Sequence, residues 1–193
     1  MSALDISNHQ SNSYKALIDQ LNPDHVIVRI PQHAEPQSLW DIAYEQTAHV
    51  LSVGKSLGGY GWLYRDEPID DQVADWYEFL ATAGVTVPVL WIDIEPYQTN
   101  SNLPSTEQIK QCIELVRRGG ISPGIYTGPW VWSLLRNPID PVINACPLWT
   151  AEYNGLATLS DVTLYGGWTV AVGHQWTSSP LDQSVFDSVY TLL

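Results

Sequence analysis

Residues 85–96 read VTVPVLWIDIEP. The seven residues 85–91 are almost all apolar or β-branched, which predicts a strand packed on both faces. Asp93, Ile94 and Glu95 then place two carboxylates where the burial stops, and Pro96 ends the strand. Side chains alternate along a strand, so Asp93 and Glu95 point the same way, with roughly 6 to 7 Å between their Cα atoms. Like charges held together at the mouth of a core raise at least one pKa, so keeping them there costs stability. Such a pair suits a general acid and a partner carboxylate in glycosidic bond cleavage. It equally suits two acids that cap loops at a strand end, and the motif alone leaves both readings open.

Outward from that stretch, the chain alternates. Strands are predicted at 3–6, 25–30 and 57–63 before it, and at 123–126, 147–151, 163–165 and 171–176 after it. Helices are predicted at 14–22, 37–53, 70–83 and 105–118. Asp70 and Asp71 sit in the favourable first turn of the third, with Gly84 as its stop. Ser105 opens the fourth, which ends on Arg117, Arg118 and Gly119. Strands separated by helices of this length mean βαβ units and a parallel sheet, and eight strand candidates favour a closed barrel over an open sheet. Helices fade after about residue 137, so the expected fold is an irregular TIM-like β/α barrel with helices missing from the C-terminal part of the ring. With no linker-like composition shift and no internal repeat, residues 1–193 are expected to form one domain.

Composition excludes several functions. There are 21 acidic against 8 basic residues, a formal net charge of −13, and Arg117-Arg118 is the one adjacent basic pair. A nucleic-acid or anionic-membrane partner needs a cationic patch that this chain lacks. No apolar run approaches the ~20 residues of a membrane span. The opening MSALDISNHQ has no cationic head before an apolar segment, so no secretory signal is expected. Cys112 and Cys146 lack metal-type spacing and read as buried thiols. Nine Trp and ten Tyr stand against two Phe. Rings that carry polar atoms are an odd choice for core filling, whereas aromatic faces beside carboxylates suit a sugar, though any one Trp can simply be core.

In a parallel barrel the reacting groups come from the C-terminal strand ends. Those ends carry Asp5, Tyr60 with Trp62, Asp93 with Glu95, Tyr126 with Thr127, Glu152 with Tyr153, and Gln175 with Trp176. The repetition predicts one acidic, aromatic-lined cleft. The five histidines are scattered singly, there is no GxSxG elbow, and Gly58-Gly59 lacks what a phosphate loop needs and reads as a close backbone approach.

These segments resemble, nearly end to end, the lysozymes of glycoside hydrolase family 25. ALDISNHQ (3–10) is similar to the family's opening GxDVSxxQ, VIVRI (26–30) to its second strand and GYGW (59–62) to its third. WIDIEP (91–96) matches its DxE signature. PGIYTG (123–128), LWTAEY (148–153), HQWTS (174–178) and LDQSVF (181–186) follow in order. The resemblance implies cleavage of the β-1,4 bond after N-acetylmuramic acid in bacterial peptidoglycan, without metal or cofactor, by a monomer. It implies Glu95 as the acid and Asp93 as its partner, with Asp5 and Asp182 holding the charge network. Tyr60, Trp62, Tyr126, Tyr153 and Gln175 are implied on the substrate side. Departures are RIPQHAEP (29–36), where the family continues differently, His174 in place of a Trp, and Ser184 in place of an Asn. The first predicts a rebuilt subsite.

Two other functions compete. A noncatalytic wall-carbohydrate binder would use the same aromatics and keep the acids as sugar ligands. A chitinase of the D-x-x-D-x-D-x-E type would need an acid where Trp91 stands. The absence of a signal and of wall-binding repeats leads to the expectation of a phage lysin, released by a holin or carried in the virion.

Overall fold

The computed structural model describes residues 1–97, 99 and 102–190. Eight strands close a barrel in chain order: β1 (Ser2–Ile6), β2 (His25–Arg29), β3 (Ser56–Trp62), β4 (Val89–Asp93), β5 (Ser122–Thr127), β6 (Leu148–Ala151), β7 (Gly173–Thr177) and β8 (Gln183–Phe186). Neighbours from β1 to β7 run parallel. β8 is antiparallel to both β7 and β1, and pairs Ala3 with Ser184 to close the ring. Helices α1 (Tyr14–Leu21), α2 (Gln37–Ser52), α3 (Ile69–Ala83), α4 (Thr106–Arg118) and α5 (Pro129–Leu134) follow the first five strands in turn. The single turn α6 (Pro141–Asn144) precedes β6. The irregular barrel with thinning helices is as the sequence predicts, but three details differ.

Residues 163–165 are not a strand. The N–H and hydroxyl of Thr163 go to the Glu152 carboxylate at 2.7 and 2.9 Å, so the segment is pinned to a side chain rather than to a ladder. The eighth strand is instead Gln183–Phe186, inside the closing LDQSVF segment. Only residues 178–182 join it to β7, too short for a helical crossover, and this forces the antiparallel direction and makes the sheet mixed. Finally, β4 begins at Val89 rather than at residue 85, because Val85 N–H still closes α3 on the Leu80 carbonyl and Pro88 has no N–H to give.

Strand alternation divides the core into two shells. Ala3, Ile27, Val89, Trp91, Trp149 and Phe186 fill the barrel interior, with the Trp91 ring 5.6 Å from both Trp149 and Phe186. Leu90, Ile92 and Ile94 face outward into the shell that Trp76, Ile109 and Ile113 complete from α3 and α4. Helix α4 buries Ile109, Cys112, Ile113 and Val116, one face at helical spacing. Its start is fixed by a reciprocal Ser105–Gln108 capping box. Both cysteines are buried and unbridged. The glycines of β3 are there for space, since a Cβ at Gly58 would stand 2.6 Å from His25 Nε2, and one at Gly61 would stand 2.1 Å from the Trp76 ring. No described helix is long and apolar enough to cross a membrane.

Candidate active site

Trp91, Trp149 and Phe186 plug the barrel, so the strand ends beyond them form a closed-bottomed cavity of ≈ 160 Å³. All nine residues singled out from the sequence line it: Asp5, Asp93, Glu95 and Asp182 as acids, and Tyr60, Trp62, Tyr126, Tyr153 and Gln175 around them. The alternation that starts in β4 outlasts it. Ile94 turns outward into the helical shell, while Asp93, the last residue of the strand, and Glu95, just past it, turn to the cavity. Three other strand-end residues turn elsewhere: Thr127 bonds the Ile94 carbonyl at 2.9 Å, Glu152 holds Thr163, and Trp176 lies in a groove with Met1 and Ser2.

The chain ends meet here. Asp5 N–H donates to the Asp182 carbonyl at 3.3 Å, across the seam between β1 and β8. Gln175 on β7 ties the polar groups together. Its Oε1 accepts from the hydroxyls of Tyr126 (2.9 Å) and Tyr153 (2.8 Å), and its Nε2 donates to Asp5 Oδ2 at 2.9 Å. That arrangement fixes the amide's orientation, because a flipped carboxamide would set its oxygen against the Asp5 carboxylate and leave the two tyrosine hydroxyls without their acceptor.

Every acid in the cavity is harder to ionise than usual. Burial pushes the Glu95 carboxyl up to about 7, with the charge of Asp182 adding to it. Asp93 is raised well above the carboxylate range, by burial first and then by Glu95, with the Arg29 guanidinium opposing. Asp5 is raised by burial and then by Asp182, against the Gln175 hydrogen bond, and burial raises Asp182. Two polar atoms at this site are buried without a hydrogen-bond partner in the protein: Asp93 Oδ1 and Trp62 Nε1. Orphaned buried polar atoms each cost roughly 1–3 kcal/mol, so holding these two groups beside the cavity is a cost to the fold.

Four lining residues escaped the sequence reading: Ser7, His9, Gln10 and Trp149. The first three sit on a 3-10 turn after β1, closed by a Ser7–Gln10 capping box, and Trp149 donates to Ser184 Oγ at 3.1 Å. All lie inside the ALDISNHQ and LWTAEY segments, where hydrogen-bonding and aromatic types beside Asp5 and Tyr153 were the available signal. Arg29 was also missed. Its side chain is 11% exposed and donates to Glu35 at 2.6 Å and to the Tyr64 hydroxyl at 3.1 Å. Away from the cavity, His33 contacts Asp75 and lies near Glu78, and the Asp75 hydrogen bond raises the His33 pKa. This ion-paired group ties the 29–36 segment to α3.

The family described as "Lys-1: Lysozyme-like protein 1" matches residues 1–176. The chain belongs to this lysozyme-like family. A curated relative, lysozyme-like protein 5 of Caenorhabditis elegans, is 26% identical over 119 residues, covering 60% of this chain and 55% of that protein. The chain thus matches about half the length of that relative. Among solved structures, the barrel is similar to a family GH25 lysozyme from Aspergillus fumigatus, with a TM-score of 0.76, 19% identity and 99% of each chain covered. A muramidase from Acremonium alcalophilum has a TM-score of 0.67, 23% identity, and covers 97% of this chain and 93% of its own. The catalytic domain of a bacteriophage endolysin of Listeria monocytogenes has a TM-score of 0.69, 16% identity and the same coverage. The lysozyme-like barrel fold is that of the GH25 lysozymes, as the resemblance read from the sequence implies.

Proposed function

We propose that the barrel is a muramidase that hydrolyses the β-1,4 bond between N-acetylmuramic acid and N-acetylglucosamine in bacterial peptidoglycan. The observation that carries this reading is the pairing of Glu95, whose carboxyl burial pushes up to about 7, with Asp93 in one four-carboxyl cavity lined by tyrosines and Trp62. A carboxyl still protonated near neutrality is a general acid poised for its task.

Glu95 gives its proton to the glycosidic oxygen as the bond from that oxygen to C1 breaks. The acetamido carbonyl oxygen attacks C1 from the other face, and Asp93 accepts the acetamido N–H and stabilises the positive charge that develops. Water then adds to C1 as the bond from C1 to the acetamido oxygen breaks, and its proton returns to Glu95, which restores the acetamido group and leaves the product with retained configuration. Asp5 and Asp182 hold the negative potential around the pair, and Gln175 fixes Asp5. Tyr60, Trp62, Tyr126 and Tyr153 supply faces and hydroxyls to the sugar. The enzyme works as a monomer on glycan strands, and the phage endolysins among the similar folds support a wall-lytic role.

Glu95→Gln tests the assignment. The amide keeps the shape but has no proton to give, so reducing-end release from purified walls should fall roughly 10²- to 10⁴-fold. Activity of the unmodified protein should decline as pH rises through about 7, where Glu95 ionises. Wall binding without any reducing-end release from the unmodified protein would make it a carbohydrate-binding protein instead.

A further inference from the structure

The cavity around Glu95, at ≈ 160 Å³, can enclose only part of a disaccharide, so a glycan strand must continue over the surface beside it. A second, larger concavity of ≈ 310 Å³ is lined by Glu35, Tyr64, Arg65, Tyr97 and Asn102 among others. The two are joined by rings. Trp62 and Tyr64 are nearly parallel and stack, 10° apart with centroids separated by 6.2 Å. Tyr97 stands edge-on to both, at 6.3 and 5.0 Å.

The wall of this concavity is held from behind. The Arg29–Glu35 ion pair is buried, at 11% and 15% side-chain exposure, and Arg29 also donates to the Tyr64 hydroxyl. Glu35 Oε2 accepts from Gln32 N–H, and Gln32 Nε2 bonds both the Trp62 carbonyl at 2.7 Å and Gln72. The 29–36 segment is therefore fixed to the backbone of the same Trp62 that lines the catalytic cavity, so the ring surface is set before any ligand arrives. Partly exposed rings offer faces to pyranose C–H groups, and carboxylate and amide side chains offer acceptors and donors to hydroxyls and an acetamido group. With Glu35 paired to Arg29, Asp66 and Glu67 against Arg65 leave the lining slightly negative, which suits the uncharged N-acetylglucosamine of the strand over its acidic N-acetylmuramic acid.

We propose that the Tyr64–Tyr97 concavity is an accessory carbohydrate subsite that takes a further N-acetylhexosamine of the same strand and gives this chain a preference for long glycans. It rests on the muramidase reading and names where the rest of that substrate lies. The experiment compares a tetrasaccharide and an octasaccharide of alternating N-acetylglucosamine and N-acetylmuramic acid. The unmodified protein should show a higher kcat/KM on the octasaccharide. Tyr64→Ala should lower the ratio of the two kcat/KM values about tenfold, while Tyr64→Phe, which keeps the ring, should retain most of it.

A Tyr64 that only props the fold would lower both values together and leave the ratio alone. That result, or no length preference in the unmodified protein, overturns the inference. Should Tyr64→Ala misfold, Tyr97→Ala replaces it, since the Tyr97 ring is 41% exposed and can be removed without opening the core. If neither oligosaccharide is cleaved at all, the muramidase reading fails, and calorimetric binding of the octasaccharide to Glu95→Gln decides the subsite separately. About tenfold weaker binding after Tyr64→Ala supports it, and equal binding overturns it.

Discussion

The two parts of the barrel are covered differently. From β1 to β5 each strand is followed by a helix, and the outward side chains Leu90, Ile92 and Ile94 bury against apolar helix faces. From β6 onward that cover is mostly coil, and polar groups do the holding. On β7, His174 is fully buried, with Nδ1 2.7 Å from the Thr158 carbonyl and Nε2 2.8 Å from the Glu152 carbonyl, so one ring staples the coil to the barrel. The Tyr165 hydroxyl reaches Thr150 and the Thr127 carbonyl in the same way. Each part gives the cavity what its construction can hold. The helix-backed part supplies Asp5, Asp93 and Glu95 on a rigid apolar frame that keeps water from them. The coil-covered part supplies Gln175, Tyr153 and Asp182, which orient and surround. Burial raises the carboxyls of both parts, Asp182 included, so the two parts differ in what holds each acid rather than in how readily it ionises.

If that division is right, removing the charge of Asp93 should rank next after removing the Glu95 proton in the damage it does. Asp93→Asn keeps the shape of a 3% exposed side chain but removes the charge that the proposed mechanism uses. Losses of about 10²- to 10³-fold in kcat are typical of such preorganised electrostatic contacts. Steady-state rates on a soluble peptidoglycan fragment would measure it. Turnover near that of the unmodified protein would move the chemistry away from the helix-backed part.

The next effect is on stability, and its sign separates a functional carboxyl from a structural one. Glu95 has an ordinary value of 4.5 and a folded value of about 7. Between those two pH values the folded protein keeps a proton that the unfolded chain has lost. Stability therefore falls as pH rises through that window, and the full penalty is present above it. Glu95→Gln has no charge to bury, so it should be more stable than the unmodified protein at pH 8, by on the order of 3 kcal/mol, and nearly equal at pH 4. Urea unfolding at the two pH values would check it. A variant less stable at pH 8 would mean that Glu95 serves the fold.

The same division decides what could be read from the sequence. In the helix-backed part, apolar runs alternate with 3.6-period segments, and helix caps such as Ser105 and Gly84 mark the borders, so strands and helices fall where expected, to within a few residues. The carboxyl pair was legible because apolar burial in 85–92 stops so abruptly at Asp93. In the coil-covered part those signals vanish. Residues 163–165, TLY, have the composition of a strand, but their polar groups are taken by Glu152, Thr150 and the Thr127 carbonyl. Residues 183–186, QSVF, alternate weakly and are a strand only because β1 and β7 leave a gap of that width. Gln175 was legible as a polar residue at a strand end, whereas Asp182 was found by family resemblance and not by pattern. Arg29 was missed because its partners Glu35 and Tyr64 are six and thirty-five positions away along the chain, a relation only the fold creates.

The smallest effect should come from the residue that joins the two parts. Gln175 touches Asp5, Tyr126 and Tyr153 at 2.8 to 2.9 Å, yet it gives and takes no proton in the reaction. Gln175→Leu keeps the bulk but leaves Asp5 without its donor, so the Asp5 carboxyl should become harder still to ionise, since the Gln175 hydrogen bond is what lowers it. The cavity would lose negative potential and the two phenols would lose their common acceptor, but Glu95 and Asp93 would keep their place on β4. The expected loss in kcat is about tenfold, the scale of one hydrogen bond to a charged group. The pH at which activity rises on the acid side should move upward, because Asp5 then ionises later. Gln175→Glu is the sharper control: it restores an acceptor to the tyrosines but sets a fourth neighbouring carboxyl against Asp5, so it should be worse than Gln175→Leu. If Gln175→Leu cost as much as Asp93→Asn, the coil-covered part would be doing more than orienting, and the separation of chemistry from support drawn from the two kinds of cover would not hold.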